Sequence, residues 1–328
     1  MKAEENRKQH YIPQCYLRNF SSNNKNIFIY DKEERKSFRN TVENIAYIDY
    51  FYELPKKFIE SIEEIPNGTK FYEKTFFAET VEKYYNQILG KIINKGNLWL
   101  RKEDIDEIIN PCEKRIFSQL IAIQYLRMPN IREKYSDFRN KGIDFISDII
   151  KSRLSFENPE QKEEIDNFQA EYDKSFDPIL HSELYADEEL LIEFANQLLN
   201  KHWVYYVAEN KDFYTSDNPI IIKHHIPNQR RFYEGFGMNG SEIIFPIGSS
   251  ILLTMWDRDY FDKKEEISNT FNEITDKQKR EYNFYQYMYS NKQTYSYNND
   301  FNLIKLLISI NNGNEYFSEK PNILVNGK

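Results

Sequence analysis

The sequence has few cysteines and no long hydrophobic run, and both absences exclude classes of protein. Cys15 and Cys112 are its only cysteines and form no CxxC pair, so neither a disulfide framework nor a cysteine-based zinc site is predicted. No segment approaches the roughly 18 uninterrupted apolar residues of a membrane helix. The opening MKAEENRKQH also lacks the apolar core of a signal peptide. We therefore expect a soluble protein of the reducing cytoplasm with no membrane partner.

The chain also lacks an excess of positive charge. Its 44 Lys and Arg residues are outnumbered by 52 Asp and Glu residues, which gives a formal net charge of -8. Bulk electrostatics will not draw the whole molecule onto nucleic acid, so such binding would require a local basic groove. Aromatic residues are abundant instead, with 25 Tyr and 24 Phe. We expect a core built from large rings, many with a hydroxyl that needs a hydrogen-bond partner.

The spacing of apolar residues changes twice along the chain and predicts an α+β fold. Residues 1–70 contain a short helix that begins at Pro13 and a β-hairpin. Residues 71–200 have helical spacing, and residues 201–328 contain short strand-like runs together with terminal helices. We predict a single α+β domain over residues 1–328. In it, a helical bundle is inserted between the N-terminal hairpin and C-terminal antiparallel strands that form a sheet.

Three motifs have a structural interpretation that the sequence favours. GFGMNG has the spacing of a dinucleotide-binding loop, but the strand pattern SEIIFPIG follows it where a helix is required, so we interpret it as a turn. Glu79 and Glu82 share a helical face, where an acid/base or metal role competes with the commoner solvated glutamates. His224 and His225 are adjacent at a strand end, with no second ligand set at metal-site spacing.

The segment HYIPQCYLRNF, at residues 10–20, sets polar side chains among aromatic ones. If a helix begins at Pro13, His10 lies just outside it, and Gln14 and Arg18 share one helical face. These three polar side chains either form a structural cluster at the start of the helix or belong to a site. In a site, an imidazole with an ordinary pKa of about 6.5 is suited to proton transfer.

Two later segments leave the same alternatives open. Gln124 and Arg127 stand three residues apart before a proline, where they either hold a carboxylate or phosphate or tie a helix end to a loop. TSDNP lies between two strand-like runs. Its Ser216, Asp217 and Asn218 either bond the local backbone in a turn or face a cleft, where a carboxylate can bind a cation or act as a base.

Taken in order, five segments resemble the bacterial family known as domain of unknown function 4238. They are HYIPQCYLRNF, IFIYDK, LIAIQYLRMPNIRE, TSDNPIII and FPIGSSILLTM, and the resemblance in their order and spacing covers the chain from about residue 9 to about residue 290. The opening HYxPQxYLxxF and SDNP are the most specific pieces. The family pattern carries over to His10, Pro13, Gln14, Leu17, Asn19, Phe20, Asp31, Gln124, Arg127, Pro129, Ser216, Asp217, Asn218 and Pro219. Cys15 stands where an aromatic residue is usual, and Met128 where a small polar one is common.

The resemblance implies a biological setting without an established reaction. Similar proteins occur in bacterial genomes and mobile elements, some in phage-defence islands, so the resemblance implies a role in anti-phage defence. The shared positions are rich in His, Gln, Asp, Asn and Arg, the side chains that bind anions, activate water or hold a metal. A pure scaffold would be expected to share apolar positions and turn glycines instead. This composition favours an active or binding site.

Three functions follow as expectations. The first is a metal-assisted, nuclease-like phosphodiesterase that damages nucleic acid, in which His10, Asp31 and Asp217 are catalytic and the two aspartates hold Mg²⁺ or Mn²⁺. Its substrate-binding residues would be Gln14, Arg18, Asn19, Gln124, Arg127, Ser216 and Asn218. The second is a non-catalytic sensor that recognises a phage protein, another defence protein or a nucleotide signal. The third is a hydrolase of a small nucleotide such as NAD. The first function, with these residue roles, requires His10, Asp31, Arg127 and Asp217 to converge on one pocket.

Overall fold

The structure is a computed structural model that describes residues 7–60, 67–226 and 235–316. Its strands are β1 (Lys8–His10), β2 (Asn26–Asp31), β3 (Lys36–Thr41), β4 (Tyr47–Asp49), β5 (Lys201–Val207), β6 (Thr215–Ser216), β7 (Ile221–His224), β8 (Ser241–Gly248), β9 (Ile251–Asp257), β10 (Phe271–Glu273) and β11 (Gln293–Ser296). Its α-helices are α1 (Gln14–Leu17), α2 (Lys56–Ile59), α3 (Glu82–Leu100), α4 (Pro111–Leu126), α5 (Pro129–Glu157), α6 (Lys162–Asn167), α7 (Asp177–Ala186), α8 (Glu188–Leu199), α9 (Asp276–Tyr289) and α10 (Asn302–Ile310). A π-helix at Tyr72–Val81 leads directly into α3.

The strands of the described residues form three sheets. β1 and β4 form a small antiparallel pair. A second sheet has the order β10-β5-β9-β8-β7 and is antiparallel except at its β10–β5 edge. The third sheet has the order β3-β2-β11-β6 and is antiparallel throughout. The chain is thus mixed helix and sheet, as predicted for the α+β class. The N-terminal hairpin shares its sheet with β11 and β6, while the longer C-terminal strands form their own.

The second sheet lies at the centre of the hydrophobic core. β5, β8 and β9 are buried along nearly their whole length, which agrees with their continuous apolar runs. Alternate residues of β5 enter different clusters: Trp203 packs with Phe117 of α4, while Tyr206 packs with Tyr282 of α9. Helices therefore cover both faces of this sheet, and large rings fill the interior as expected from the composition.

The turn between α4 and α5 places Arg127 at the end of one helix and just before the next. α4 begins at Pro111, with a capping box in which Asn110 accepts the Glu113 N–H at 2.8 Å and the Glu113 carboxylate accepts the Asn110 N–H at 2.9 Å. α4 ends at Leu126, and Pro129 occupies the first position of α5.

The structure bears on three further expectations, which concern a membrane helix, a signal peptide and the GFGMNG segment. None of the helices in the described residues is both long and apolar enough to cross a membrane. The predicted lack of a signal peptide concerns residues 1–10, of which residues 1–6 lie outside the described part. GFGMNG forms turns that lead into β8, as interpreted from the sequence, and Gly240 has a positive φ of 69°.

Candidate functional site

His10 and Tyr11 lie between two groups of polar residues. On one side, Arg127 donates hydrogen bonds to the His10 carbonyl at 2.7 Å and to the Tyr11 carbonyl at 2.9 Å, and Gln124 donates to the Tyr11 carbonyl at 3.1 Å. On the other side, Tyr11 and Asp217 line the same cavity. Burial raises the pKa of the Tyr11 hydroxyl, and the charge of Asp217 raises it further.

We name the first group the Arg127 cluster; it consists of Arg127, Glu73, Glu82, His10, Gln14 and Arg18. We name the second group the Asp217 clamp; it consists of Asp217, Asp31, Lys32 and residues 291–293.

Arg127 is completely buried and uses its guanidinium to hold the backbone. Besides its two bonds to carbonyl oxygens, the guanidinium lies 4.3 Å from the centre of the Phe77 ring and 3.9 Å from the Glu82 carboxylate. Its Nη1 makes no hydrogen bond with the described residues. Of the two alternatives from the sequence, the contacts favour the one in which this side chain ties the end of α4 to the N-terminal segment. Its charge then acts on neighbouring ionisable groups.

Two glutamates face this buried charge. Burial raises the pKa of Glu73 to about 7, although the attraction of Arg127 opposes the rise. Burial also raises the pKa of Glu82, against the charges of Arg127 and Arg18. The Glu82 side chain remains 29% exposed, so the cluster is open to solvent on this side. A pair of carboxyls that includes one with a pKa near neutrality is typical of sites for acid–base chemistry.

His10, Gln14 and Arg18 form a hydrogen-bonded row from the interior to the surface. Gln14 Nε2 lies 3.4 Å from His10 Nδ1, and Arg18 donates to Gln14 Oε1 at 3.0 Å. Burial lowers the pKa of His10 to about 4, a backbone hydrogen bond at Glu43 opposes this, and the charge of Arg127 lowers it further. His10 is therefore neutral at pH 7 and suited to hydrogen bonding, while Arg18 presents its charge at the exposed end.

Asp217 fixes the loop that precedes β11. One carboxylate oxygen accepts the N–H of Asn291 at 2.7 Å, and the other accepts those of Lys292 and Gln293 at 2.7 and 2.9 Å. The backbone N–H of Asp217 also donates to the Gln293 carbonyl at 3.0 Å. Burial raises the pKa of Asp217 to about 6, against these hydrogen bonds and the charge of Lys32. The carboxylate thus orders a loop from a distant part of the chain.

Asp31 holds the same loop from the hairpin side. One oxygen accepts the N–H groups of Glu33 and Glu34, each at 3.0 Å, and the other accepts the Gln293 amide at 2.8 Å. Lys32, which is also buried, donates to the Ser290 carbonyl at 2.9 Å. Gln293 therefore donates hydrogen bonds to both Asp31 and Asp217, so the structure brings these two predicted site residues close together.

The donor set around these two aspartates does not suit the predicted divalent cation. Backbone N–H groups point their positive ends at three of the four carboxylate oxygens, the Gln293 amide N–H points at the fourth, and Lys32 adds a full charge nearby. Within residues 7–60, 67–226 and 235–316, there is no group of three or more His, Cys, Asp or Glu side chains arranged to hold a metal ion. The metal site at Asp31 and Asp217 stays a prediction without support from their hydrogen bonding.

The remaining predicted binding residues are engaged within the chain. The Ser216 hydroxyl donates to the Asn218 carbonyl at 2.9 Å, and the Asn218 amide donates to the Tyr289 carbonyl at 3.1 Å. The Asn19 amide donates to the Ile247 carbonyl at 3.3 Å. These contacts tie SDNP to the end of α9 and the N-terminal segment to β8, which is the turn alternative that the sequence left open.

A cavity of about 790 Å³ lies beside the Asp217 clamp. Its walls are Tyr11, Asp217 and residues 290–293, with residues 44–48 and the start of α5 around them. Of the four residues expected to converge, Asp217 lines this cavity, whereas His10, Asp31 and Arg127 do not. The four residues therefore fall into two adjoining groups. His10 and Arg127 belong to the Arg127 cluster, Asp31 and Asp217 belong to the Asp217 clamp, and Tyr11 lies between the two groups.

Three parts of this region were missed or passed over from the sequence. Glu73 is one of many charged residues in a helical pattern, and nothing in the sequence distinguishes it. Glu82 was paired with Glu79, but Glu79 is exposed and only Glu82 reaches Arg127. β11 is a strand in a segment that we did not predict as one; the alternation in QTYSY is the signal that indicates it.

The fold and these two groups define an α+β protein with a partly buried cluster of ionisable side chains. Residues 8–300 match the family described as "Protein of unknown function (DUF4238)", and the chain belongs to this family. The match confirms the resemblance seen in the sequence. No curated protein and no solved structure matches the chain. Function is therefore argued from the geometry of the Arg127 cluster and of the Asp217 clamp.

Proposed function

We propose that this protein is a hydrolase that cleaves a nucleotide or nucleic acid by acid–base catalysis at the Arg127 cluster. The observation that carries the proposal is the pair of Glu73 and Glu82 beside the buried Arg127, with the pKa of Glu73 at about 7. A carboxyl that keeps its proton near neutral pH serves as a general acid, and an ionised neighbour serves as a general base.

The contacts assign a separate role to each member of the cluster. Burial raises the pKa of Glu82, but Arg127 at 3.9 Å and the charge of Arg18 oppose the rise and favour its ionised form, so we assign it the role of the base that accepts a proton from the attacking water. Glu73 gives its proton to the leaving oxygen. Gln14 and Arg18 bind the phosphate at the exposed end, because a guanidinium matches phosphate geometry. Arg127 controls the ionisation of the two carboxyls.

The substrate class rests on the family resemblance and on the exposed Arg18. A nuclease-like phosphodiesterase is the first activity we propose, acting as an effector of anti-phage defence in the cytoplasm. Hydrolysis of a small nucleotide such as NAD would use the same residues, because cleavage of a glycosidic bond also employs two carboxyls. A metal-assisted reaction would instead place Mg²⁺ or Mn²⁺ at Asp31 and Asp217, whose carboxylate oxygens already accept N–H hydrogen bonds.

The test is turnover by the purified full-length protein and by variants of the carboxyl pair. Single-stranded RNA, double-stranded DNA, NAD and ATP are each incubated with protein in EDTA or in Mg²⁺ or Mn²⁺. We expect one substrate to be cleaved in EDTA, and we expect E73Q and E82Q to lower kcat by about 100-fold or more. E79Q is the matched control, because Glu79 is an exposed residue of the same π-helix, and it should keep activity within about twofold of wild type.

Two results would contradict this proposal. Turnover that needs added metal, and that is lost in D31N and D217N but kept in E73Q, would move the chemistry to the Asp217 clamp. Full activity in both E73Q and E82Q with any substrate would also remove the carboxyl pair from the mechanism.

A recognition module is the second candidate, and the cavity beside the Asp217 clamp is the observation that favours it. At about 790 Å³ the cavity has the size of a small-molecule site, and Tyr11 and neutral amide groups line part of it. Calorimetric titration with nucleotides and captured phage proteins tests this. Saturable binding that is weakened in Y11A, together with no turnover of any substrate above, would favour recognition over catalysis.

A further inference from the structure

The more apolar face of the long helix α5 points to solvent, away from the rest of the chain. Near its C-terminal end, Lys151 and Ser155 bond to Asp166 at the end of α6, at 3.2 and 3.4 Å, which identifies the inward face. Ser136 and Ser147 lie on the same side at helical spacing. Ser136 is the buried residue of the helix. An amphipathic surface helix would show the opposite distribution.

The outward face carries a stripe of exposed large apolar side chains. Phe138, Phe145, Ile149 and Phe156 follow one another at intervals of seven, four and seven residues, and their exposed fractions are 54, 41, 53 and 85%. Ile146 and Ile150, each more than half exposed, flank the stripe. Together these six side chains expose roughly 600 Å² of mostly apolar surface, which matches the largest patches of monomeric proteins and indicates a contact surface.

The stripe is complementary to itself when two copies run antiparallel. The seam residues 138, 142, 145, 149, 152 and 156 alternate steps of four and three, which is the spacing of a coiled-coil interface. With a two-fold axis at the level of residue 147, Phe138 faces Phe156 of the second copy and Phe145 faces its Ile149. The two small residues of the seam, Gly142 and Ser152, then face each other. Every layer of the seam is thereby matched in size.

We propose that the protein forms a homodimer in which the α5 helices of two copies pair antiparallel along this stripe. A contact of this kind is isologous, so each of its layers occurs twice. Two copies of the stripe, each with the flanking Ile146 and Ile150, offer roughly 1,200 Å² for burial in total, which exceeds the approximately 1,000 Å² expected of a specific interface. Acidic and basic residues alternate beside the stripe, with Asp148 between Lys141 and Arg153. A membrane-binding helix carries predominantly basic flanks, so the second copy fits better than a lipid surface.

The first test is the mass of the full-length chain in solution. Light scattering after size exclusion should give twice the 39.7 kDa of the chain for wild type. I149D and F145D each place a charge in the seam and should weaken dimerisation by about 100-fold or more, to monomer at micromolar concentration. Both side chains are exposed in the single chain, so far-UV circular dichroism and Tm should not change. I310D is the matched control, because Ile310 is an exposed isoleucine of α10, and it should remain dimeric.

The second test fixes the direction of pairing by disulfide crosslinking. G142C and S152C are made separately in a C112S background, because Cys112 is exposed. A side chain at Gly142 meets no atom within 4 Å, so the helix tolerates it. Mixed G142C and S152C chains should crosslink on mild oxidation. Each alone should not, because like positions then lie about 15 Å apart along the antiparallel pair.

Three results would overturn the dimer. Wild type could be monomeric at all concentrations, whether or not it binds another protein or lipid vesicles. I149D could leave a wild-type dimer intact. S152C could crosslink readily with itself, which would indicate parallel chains. All three measurements are made without substrate, so they stand apart from the proposed hydrolysis.

Discussion

At the scale of single residues, burial moves the pKa that lies near neutrality from the predicted His10 to Glu73. Within the nuclease hypothesis, His10 was expected to be the acid or base, because an ordinary imidazole titrates near neutral pH. Burial lowers the pKa of His10 to about 4 and raises that of Glu73 to about 7, so Glu73 titrates in the useful range. Both shifts come first from burial by parts of the chain that are distant in sequence, and the charge of Arg127 lowers both pKa values, so residue type alone does not predict them.

The same burial predicts that Glu73 reduces stability at high pH. Its folded pKa of about 7 exceeds its ordinary value of 4.5, so the folded chain binds the proton more tightly than the unfolded chain. The contribution is complete below about pH 4.5 and is lost as the pH rises through about 7. E73Q mimics the protonated form, so it should be more stable than wild type at pH 8 by about 1 to 3 kcal/mol, with the lost attraction to Arg127 reducing the gain.

Urea unfolding of both proteins at about pH 5 and about pH 8 measures this difference. E79Q again serves as the control and should follow wild type at both values. If the stability difference between E73Q and wild type is the same at about pH 5 and about pH 8, burial does not raise the pKa of Glu73. Together with lost kcat, a gain in stability in E73Q would be the trade-off expected of a catalytic carboxyl.

At the scale of elements, the long periodic segments were predictable and the short ones were not. Helices α3, α4, α5, α8, α9 and α10 and the buried strands β5, β8 and β9 all follow apolar patterns read from the sequence. β1 and β10 were missed because three residues carry too little pattern, and α7 because its periodicity is weak. β11 was missed because the short alternation of QTYSY lies in a segment interpreted as a loop after a helix. The π-helix at Tyr72–Val81 was also unforeseen, since its apolar residues fit an ordinary helix.

The packing of α3 on the sheet gives a prediction from two glycines of one helix. A Cβ atom at Gly96 would overlap the Cδ1 atom of Ile251, which is fully buried on β9. A Cβ at Gly90 would meet no atom within 4 Å. Alanine is favoured over glycine in a helix, so G90A should raise the free energy of unfolding by about 0.5 to 1 kcal/mol. G96A should lower it by about 1 to 3 kcal/mol, because overpacking outweighs that gain.

Thermal and urea unfolding of the two variants beside wild type provide the measurement. Equal stabilisation by both substitutions would show that α3 does not approach β9 as closely as the structure places it. Opposite signs would locate the contact to one turn of the helix.

At the scale of the whole molecule, distant segments meet around the N-terminal motif and the loop before β11. The largest apolar cluster takes residues from all three predicted sub-regions, among them Ile27, Phe117 and Phe245. A single domain over residues 1–328 stays a prediction, to which this shared core is favourable. The motifs of the family resemblance lie far apart in sequence. Arg127 bonds to the His10 and Tyr11 carbonyls, and Asp217 bonds to residues 291–293. These partners could not be predicted from the sequence.

The Asp217 clamp is where the structural and catalytic interpretations of SDNP give different results. In D217N, one carboxylate oxygen becomes an amide that faces a backbone N–H, so a buried donor loses its partner and Lys32 loses a nearby opposite charge. Because burial raises the pKa of Asp217 to about 6, removing its charge offsets part of this loss at neutral pH, but the lost hydrogen bonds to buried N–H groups dominate. D217N should therefore lower the free energy of unfolding by about 2 kcal/mol in urea. D212N removes an ion pair with Lys279 at the surface and should cost less than about 1 kcal/mol. If D217N keeps wild-type stability but loses turnover, Asp217 takes part in the reaction. If D217N loses stability while the protein that remains folded keeps its kcat, the SDNP turn has the structural role of holding β11 to the hairpin, and the chemistry lies at the Arg127 cluster.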